Sequence, residues 1–118
     1  MESFSFPKAE RLLKRADFVN QNRSGARQHT RHFVIILRQN GLGITRLGVT
    51  LSKKTGNAVK RNRVKRLIRE LFRLNKSYIP KGYDIVVTAK KDASYLDLRK
   101  IKEEIGDAIF DKKFRVQI

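Results

Sequence analysis

The sequence has no cysteine and no tryptophan, and it has only 2 prolines in 118 residues. Without cysteine the chain can form neither a disulfide nor a thiolate metal site, which fits a reducing compartment. No apolar run approaches the roughly 18 residues of a membrane-spanning helix, and the N-terminus lacks the apolar stretch of a signal peptide. We therefore expect a soluble, cytoplasmic protein.

Acidic residues are also scarce, because 11 Asp and Glu stand against 28 Lys and Arg and leave a net charge of +17. A compact body with this charge repels itself unless a polyanion supplies the missing negative charge. Hydrophobic residues make up 40% of the chain, too many for a disordered tail. No linker rich in Pro, Gly or Ser divides the sequence. We predict a single domain over residues 1–118, with nucleic acid as its partner.

Clusters of residues that could carry out hydrolysis are missing as well. The acids are scattered, and no nucleophile stands beside a candidate base, so we predict no catalytic residue and no metal ligand. His29 and His32 lie three positions apart, just ahead of a predicted strand. We interpret them as surface or RNA-contacting residues in preference to metal ligands.

Hydrophobic patterns predict three strands. Residues 32–37 form a short apolar run typical of a strand covered on both faces. In residues 47–51 apolar and small polar residues alternate, and residues 40–43 contain the glycines and asparagine that a hairpin between these two strands requires. Residues 83–89 form the third strand.

Three helices complete the predicted order, α-β-β-α-β-α, in an α+β fold. The first lies within residues 8–23, with a start as late as Arg15, and ends at Ser24-Gly25. The long second helix spans about residues 58–76, with Asn57 as its candidate N-cap. The last runs from about Tyr95 to Asp111.

The second predicted helix lies in the most basic part of the chain, because residues 53–76 hold ten Lys and Arg and a single acid, Glu70. An exposed helix built for stability gains from Glu and Lys at i, i+4, and this helix has almost no such pairs. One stripe of the helix is apolar and should face the core: Val64, Leu67, Ile68, Leu71 and Phe72.

The opposite side of this helix is polar and mostly cationic: Asn62, Lys65, Arg66, Arg69 and Arg73. Lys60 and Arg61 lie in the first turn, nearer the apolar side, where two cations oppose the helix dipole. Their position is understandable if they and the backbone N–H groups of that turn hold phosphates, and Gly56 would permit close approach. A solvated surface is the alternative interpretation, but the lack of interleaved acids favours contact with nucleic acid.

Residues 56–69, GNAVKRNRVKRLIR, closely resemble the RNR signature of the ribonuclease P protein family. The likeness extends to Leu-Lys-Arg-x-Asp-Phe at 13–18, Arg-Leu-Gly-Val at 46–49 and Gly-Tyr-Asp-Ile-Val-Val at 82–87. The resemblance implies a two-layer α/β sandwich with a left-handed βαβ crossover through the RNR helix.

The resemblance also implies a function. The chain would be the non-catalytic protein subunit of ribonuclease P, binding the catalytic RNA one to one and the 5′ leader of precursor tRNA, without a further protein partner. Hydrolysis would belong to Mg²⁺ ions held by the RNA, so the protein would need no cofactor of its own. The residues implied as RNA contacts are Lys53, Lys54, Asn57, Lys60, Arg61, Asn62, Arg63, Lys65, Arg66, Arg69 and Arg73.

A leader-binding cleft between the first helix and the sheet is implied too, with Phe18, Asn22 and Phe110 as its contacts. Phe18 and Phe110 point away from the apolar stripes of their predicted helices, which suits stacking on unpaired bases. Burial under the sheet or the terminal tail is an equally open interpretation. Asn22 stands where family members often carry an aromatic residue, so stacking there should be weaker.

Two other classes of protein compete with this interpretation. A ribosomal protein could have the same size and charge, and only the RNR segment separates it from the family above. A DNA-binding helix-turn-helix regulator needs two helices joined by a short turn, whereas a predicted strand follows the long helix here.

Overall fold

The computed structural model describes residues 8–12, 26–91 and 93–109 of the chain. These residues form a four-stranded sheet of β1 (Ala26–His29), β2 (Phe33–Gln39), β3 (Arg46–Leu51) and β4 (Tyr83–Ala89). They also contain the helices α1 (Ala58–Leu74) and α2 (Leu98–Ile109). Short 3-10 turns occur at Lys8–Glu10, Lys53–Thr55, Lys76–Tyr78 and Ala93–Tyr95. The predicted α+β class is confirmed, while a single domain over residues 1–118 stays a prediction.

The strand order is β1-β2-β4-β3. β2 pairs antiparallel with both β1 and β4, whereas β3 runs parallel to β4. The chain therefore travels from β3 through α1 to the adjacent parallel strand β4, which confirms the βαβ crossover that the resemblance implies. The left hand of this crossover stays a prediction.

The hairpin predicted between β2 and β3 is wrong, because β4 lies between them. Ile85, Val86 and Val87 of β4 are all buried, so this strand is apolar on both faces and takes an inner place. The predicted turn chemistry is nevertheless present: Gly41 has φ +70°, and the Asn40 side chain accepts a hydrogen bond from the Leu42 N–H at 2.7 Å. The turn lies beside the start of β4, because the Asn40 N–H donates a hydrogen bond to the Gly82 carbonyl at 2.9 Å.

Strand β1 is missing from the sequence prediction. All four of its residues, Ala-Arg-Gln-His, are exposed, so they carry no apolar alternation. The strand is held by backbone pairing with β2, in a register that places Ala26 opposite Leu37 and His29 opposite Val34. A strand that forms through its backbone at a sheet edge leaves little signal in the side chains.

The helix boundaries differ from those predicted. A helix beginning at Lys8 is wrong for residues 8–12, because a 3-10 turn ends at Glu10 and Arg11 then bridges Leu47 of β3. The rest of the predicted first helix lies outside the described residues. α1 ends at Leu74, two residues early, and α2 begins at Leu98, three residues late. Residues 110 and 111 of the predicted last helix lie outside the described residues.

The core confirms a two-layer arrangement. One face of the sheet, which includes Phe33, Ile35 and Val87, packs in one cluster with buried residues of both helices. The predicted apolar stripe of α1 is confirmed, since four of its members are buried and Leu67 packs partly buried against the same cluster. The opposite face of the sheet carries a smaller cluster: Leu12, Val34, Ile36 and Val86.

Glu104 of α2 fastens the turn between β1 and β2. Its carboxylate accepts hydrogen bonds from the Thr30 hydroxyl at 2.6 Å and the His32 backbone N–H at 2.8 Å, and it lies 2.8 Å from Nδ1 of His32. Burial raises the pKa of Glu104, but the hydrogen bonds from His32 and Thr30 outweigh it and lower the pKa below its ordinary value. His32 is therefore a half-buried structural residue, whereas His29 is exposed.

We expect this contact to make folding stability depend on acid pH. A carboxyl whose pKa is lowered in the folded state stabilises the fold above its unfolded pKa, and that stabilisation is lost as pH falls through the folded pKa. Glu104→Gln should therefore lower the melting temperature at pH 7 and flatten its decline between about pH 5 and pH 3. Thermal melts across this range, with the exposed Glu103→Gln as matched control, measure the effect. Parallel melting curves for parent and Glu104→Gln would contradict it.

Candidate nucleic-acid interface

Helix α1 begins as the sequence predicts. Asn57 is its N-cap, and its side chain accepts a hydrogen bond from the Lys60 backbone N–H at 3.0 Å. Gly56 has φ +143°, and a Cβ at this position would lie 2.9 Å from Cδ of Lys60. Glycine is thus required both by the backbone and by the side chain that packs on it. Asn57 is also a predicted RNA contact, and in the structure its side chain caps the helix.

The outer face of α1 is strongly basic. It forms a shallow concavity of about 390 Å³. Arg66 and Asn62 are exposed, while Lys65, Arg69 and Arg73 are half-buried. The residues that line the concavity are Asn62, Lys65, Arg66, Arg69, Glu70 and Arg73. The structure therefore brings together the five outer-face residues that helical periodicity predicts.

The one acid on this face is already paired with a neighbour. The Arg73 guanidinium donates to Glu70 through Nε at 3.2 Å and also through Nη2. This hydrogen bond lowers the pKa of Glu70 and raises the pKa of Arg73. The pair neutralises itself, so the net positive charge of the concavity comes from Lys65, Arg66 and Arg69.

Arg69 lies close to a second cation that the sequence did not point to. Burial, and then the charge of Arg11, lower the pKa of Arg69. Arg11 is exposed and belongs to the segment that bridges β3 at Leu47. Like charges repel each other, which is why Arg11 lowers the pKa of Arg69. No local pattern could have placed Arg11 beside α1, since 58 positions separate it from Arg69 in the sequence.

A second concavity, of about 290 Å³, lies between the start of α1 and strand β3. Arg61, Asn62 and Lys65 line it on the helix side, and Val49 and Leu51 line it on the strand side. The Nε atom of Arg61 is buried and has no hydrogen-bond partner among the described residues. An anion in this concavity would be attracted by the charges of Arg61 and Lys65, which line it.

The remaining predicted RNA contacts fall into two groups. Lys53, Lys54 and Lys60 are exposed near the start of α1. Arg63 instead donates from Nη1 to the carbonyl oxygens of Ser94 and Leu96, at 2.9 Å each. Its two described hydrogen bonds therefore go to the protein itself, which its place in the basic run did not predict.

The predicted leader contacts Phe18, Asn22 and Phe110 lie outside the described residues. The sheet face opposite the helices is nonetheless described, and Leu12 packs there on Ile36 and Val86.

Among residues 8–12, 26–91 and 93–109, no three His, Cys, Asp or Glu side chains come together as a metal site would require. Within the same residues, neither α-helix has the length and apolar character needed to cross a bilayer.

Comparisons with known proteins give one consistent result. The family model described as Ribonuclease P matches residues 6–113. The Ribonuclease P protein component of Desulforapulum autotrophicum is 47% identical over 106 residues, which cover 90% of this chain and 91% of that protein. The one from Geobacter sp. strain M21 is 48% identical and covers 92% of each chain.

Solved structures agree with these matches. The ribonuclease P protein of Thermotoga maritima superposes with a TM-score of 0.79 at 38% identity, covering 86% of this chain and 96% of that one. The Staphylococcus aureus protein gives a TM-score of 0.77 at 39% identity, covering 84% and 91%.

Proposed function

Because this chain belongs to the ribonuclease P protein family, we propose that it binds the catalytic RNA of ribonuclease P through the outer face of α1. We further propose that it binds the 5′ leader of precursor tRNA and assists removal of that leader. One protein would bind one RNA, without a further protein partner, in the cytoplasm where precursor tRNA is made.

The observation that carries this proposal is the unbalanced charge of α1. The concavity on its outer face holds Lys65, Arg66 and Arg69, and its only acid is paired with Arg73. A protein that neutralises RNA phosphates with such side chains releases condensed counterions, which supplies most of the affinity. The net charge of +17 gives the same preference to the molecule as a whole.

The chemistry would remain with the RNA. We propose that Mg²⁺ ions held by the RNA subunit carry out hydrolysis and that this chain contributes no catalytic residue and no cofactor. Its cations would reduce the repulsion between the two RNAs, so that the Mg²⁺ sites fill at lower ion concentrations.

The alternatives are less well supported. A ribosomal protein could share the charge, but the family model that matches residues 6–113 of this chain is that of Ribonuclease P. A helix-turn-helix reader needs a second helix soon after the first, whereas the next regular strand or helix after α1 is strand β4.

Reconstitution tests the proposal directly. Added to a bacterial ribonuclease P RNA at low Mg²⁺, the protein should restore accurate cleavage at the 5′ end of the mature tRNA. The protein alone, in high Mg²⁺, should leave precursor tRNA intact. Cleavage by RNA-free protein, or no stimulation of the RNA at any Mg²⁺ concentration, would refute the proposal.

The leader contact has its own test. Phe18→Ala should weaken binding of precursor tRNA to the reconstituted enzyme by roughly 5- to 100-fold, because one stacked base is lost. Binding of mature tRNA, which has no leader, should hardly change. Equal losses for both ligands would indicate a folding defect and assign Phe18 to the core.

A further inference from the structure

We propose that Tyr95 and Lys60 together form a binding site for one unpaired RNA base and its adjoining phosphate, beside the basic face of α1. This inference rests on the proposed function, since it takes RNA as the ligand. It makes Tyr95 the residue on which the base stacks, although Tyr95 lies outside the basic run of the sequence. It also gives Arg63 a positioning role.

Tyr95 presents its ring to solvent from a short turn. The residue is 74% exposed, the highest value among the described tyrosines. Isolated exposed aromatic residues are ordinary, and one alone would carry no meaning. This ring differs because Nζ of Lys60 lies 5.6 Å from its centroid, within the range of a cation–π contact. The ammonium lies over one face of the ring, and the other face is where a base would stack.

The turn that carries Tyr95 is fixed on both sides. Ala93 and Leu96 are buried in the core, and the Leu96 N–H donates to the Ala93 carbonyl at 3.2 Å. Arg63 reaches across from α1 and donates to the carbonyls of Ser94 and Leu96. The backbone flanking the ring is therefore held to the same helix that carries the basic surface, so little ordering entropy is lost when a base stacks on it.

The base of the Lys60 side chain is confined on one side. Its aliphatic stem packs against Gly56, where any larger residue would meet it at about 3 Å. Its backbone N–H is engaged by the Asn57 cap. The ammonium group lies near the ring, from where it can reach the phosphate next to a stacked base.

These features match the chemistry of single-stranded RNA. Proteins bind unpaired nucleotides by stacking bases on aromatic rings beside cations that follow the backbone. Paired RNA would offer only phosphates, for which Lys60 alone would suffice. The base could come from the RNA subunit or from precursor tRNA. Separate binding measurements with each of these RNAs distinguish the two sources.

The first experiment measures binding of the full-length protein to ribonuclease P RNA, and of the reconstituted enzyme to precursor tRNA. Tyr95→Ala and Tyr95→Leu should each weaken one of the two by roughly tenfold, while Tyr95→Phe retains affinity within about twofold. The salt dependence of binding should not change, because tyrosine neutralises no phosphate. Tyr78→Ala, at an exposed tyrosine beyond the opposite end of α1, is the matched control and should bind as the parent does.

The outcomes separate the two proposals. If the parent protein binds neither RNA, the proposed function fails and this inference fails with it. If the parent binds and Tyr95→Ala binds equally well in both arms, only this inference is overturned. A loss for Tyr95→Phe as large as that for Tyr95→Ala would also overturn it, since the ring would then not be the contact.

A direct probe is available because the chain has no tryptophan. In Tyr95→Trp the single indole should be quenched on RNA binding, whereas the indole of Tyr78→Trp should change little. Equal responses from the two would overturn the stacking assignment.

The positioning role of Arg63 is tested by a double-mutant cycle. In an Arg63→Met background, Tyr95→Ala should cost less than about twofold in affinity, because the turn is already released. A further tenfold loss, as in the parent, would overturn the positioning role. Arg63→Met should also leave the salt slope unchanged, as expected for a guanidinium that bonds carbonyls in place of phosphates.

Discussion

Replacing Arg61, Arg66 and Arg69 together with glutamine should weaken binding to ribonuclease P RNA by on the order of 100- to 1000-fold. Arg66 and Arg69 line the concavity of the outer face, and Arg61 lines the second concavity. For each phosphate contact that is lost, one counterion fewer is released from the RNA when the protein binds. The plot of log affinity against log salt should therefore be shallower by about 2 to 3.

The measurement is a titration of labelled RNA at several monovalent salt concentrations. The matched control changes the same charge elsewhere, through Arg99→Gln, Lys100→Gln and Lys102→Gln on the exposed side of α2. That variant should keep the parent slope and most of the affinity, since only long-range attraction is reduced. If the two variants have the same slope, the outer face of α1 is not the RNA surface.

The second large effect concerns Asp84, which is only 1% exposed. Its carboxylate accepts two hydrogen bonds from the Arg46 guanidinium, at 2.8 and 2.7 Å, and one from the Asn40 side chain at 2.9 Å. Asp84→Ala would leave Arg46 without this partner in a mostly buried setting, which typically costs about 3–5 kcal/mol. The free energy of unfolding of a small domain is only about 5–15 kcal/mol. We expect this variant to unfold at much lower urea concentration than the parent, or to lack a folded state.

Urea unfolding followed by circular dichroism measures the difference. Asp107→Ala, at an exposed aspartate of α2, is the control and should change stability by less than about 0.5 kcal/mol. A double variant, Arg46→Met with Asp84→Leu, should recover much of the loss, because no charge is then left buried alone. An Asp84→Ala midpoint within error of the parent would contradict this account of the ion pair.

The sequence was most informative where a single residue pattern determines a single helix or its cap. The period of Val64, Ile68 and Phe72 predicted both the buried stripe and the cationic opposite face of α1, because a helix repeats every 3.6 residues whatever surrounds it. The Asn57 cap was predicted for the same reason, since a cap bonds only to its own first turn. The RNR segment, which lies in this helix, was sufficient to predict the family.

The sequence was least informative about partners across the molecule. Arg63 looked like one more phosphate contact, yet it bonds residues more than 30 positions away. β1 went unnoticed because its four exposed residues depend on β2 for their structure. The false hairpin arose because adjacent strands in the sequence usually pair, and nothing local indicates that a later, more apolar strand will come between them.

By itself, then, the sequence determined the class of fold, the main helix with its two faces, and the family. These follow from periodicity, charge and a continuous motif, each of which can be observed within a short stretch of the sequence. Only the tertiary structure decided the strand order, the effect of Arg11 on the pKa of Arg69, the Arg46–Asp84 ion pair and the hydrogen bonds of Arg63 to the turn of Tyr95. Each joins residues tens of positions apart, and which of the many possible distant contacts form is settled by how the whole core packs.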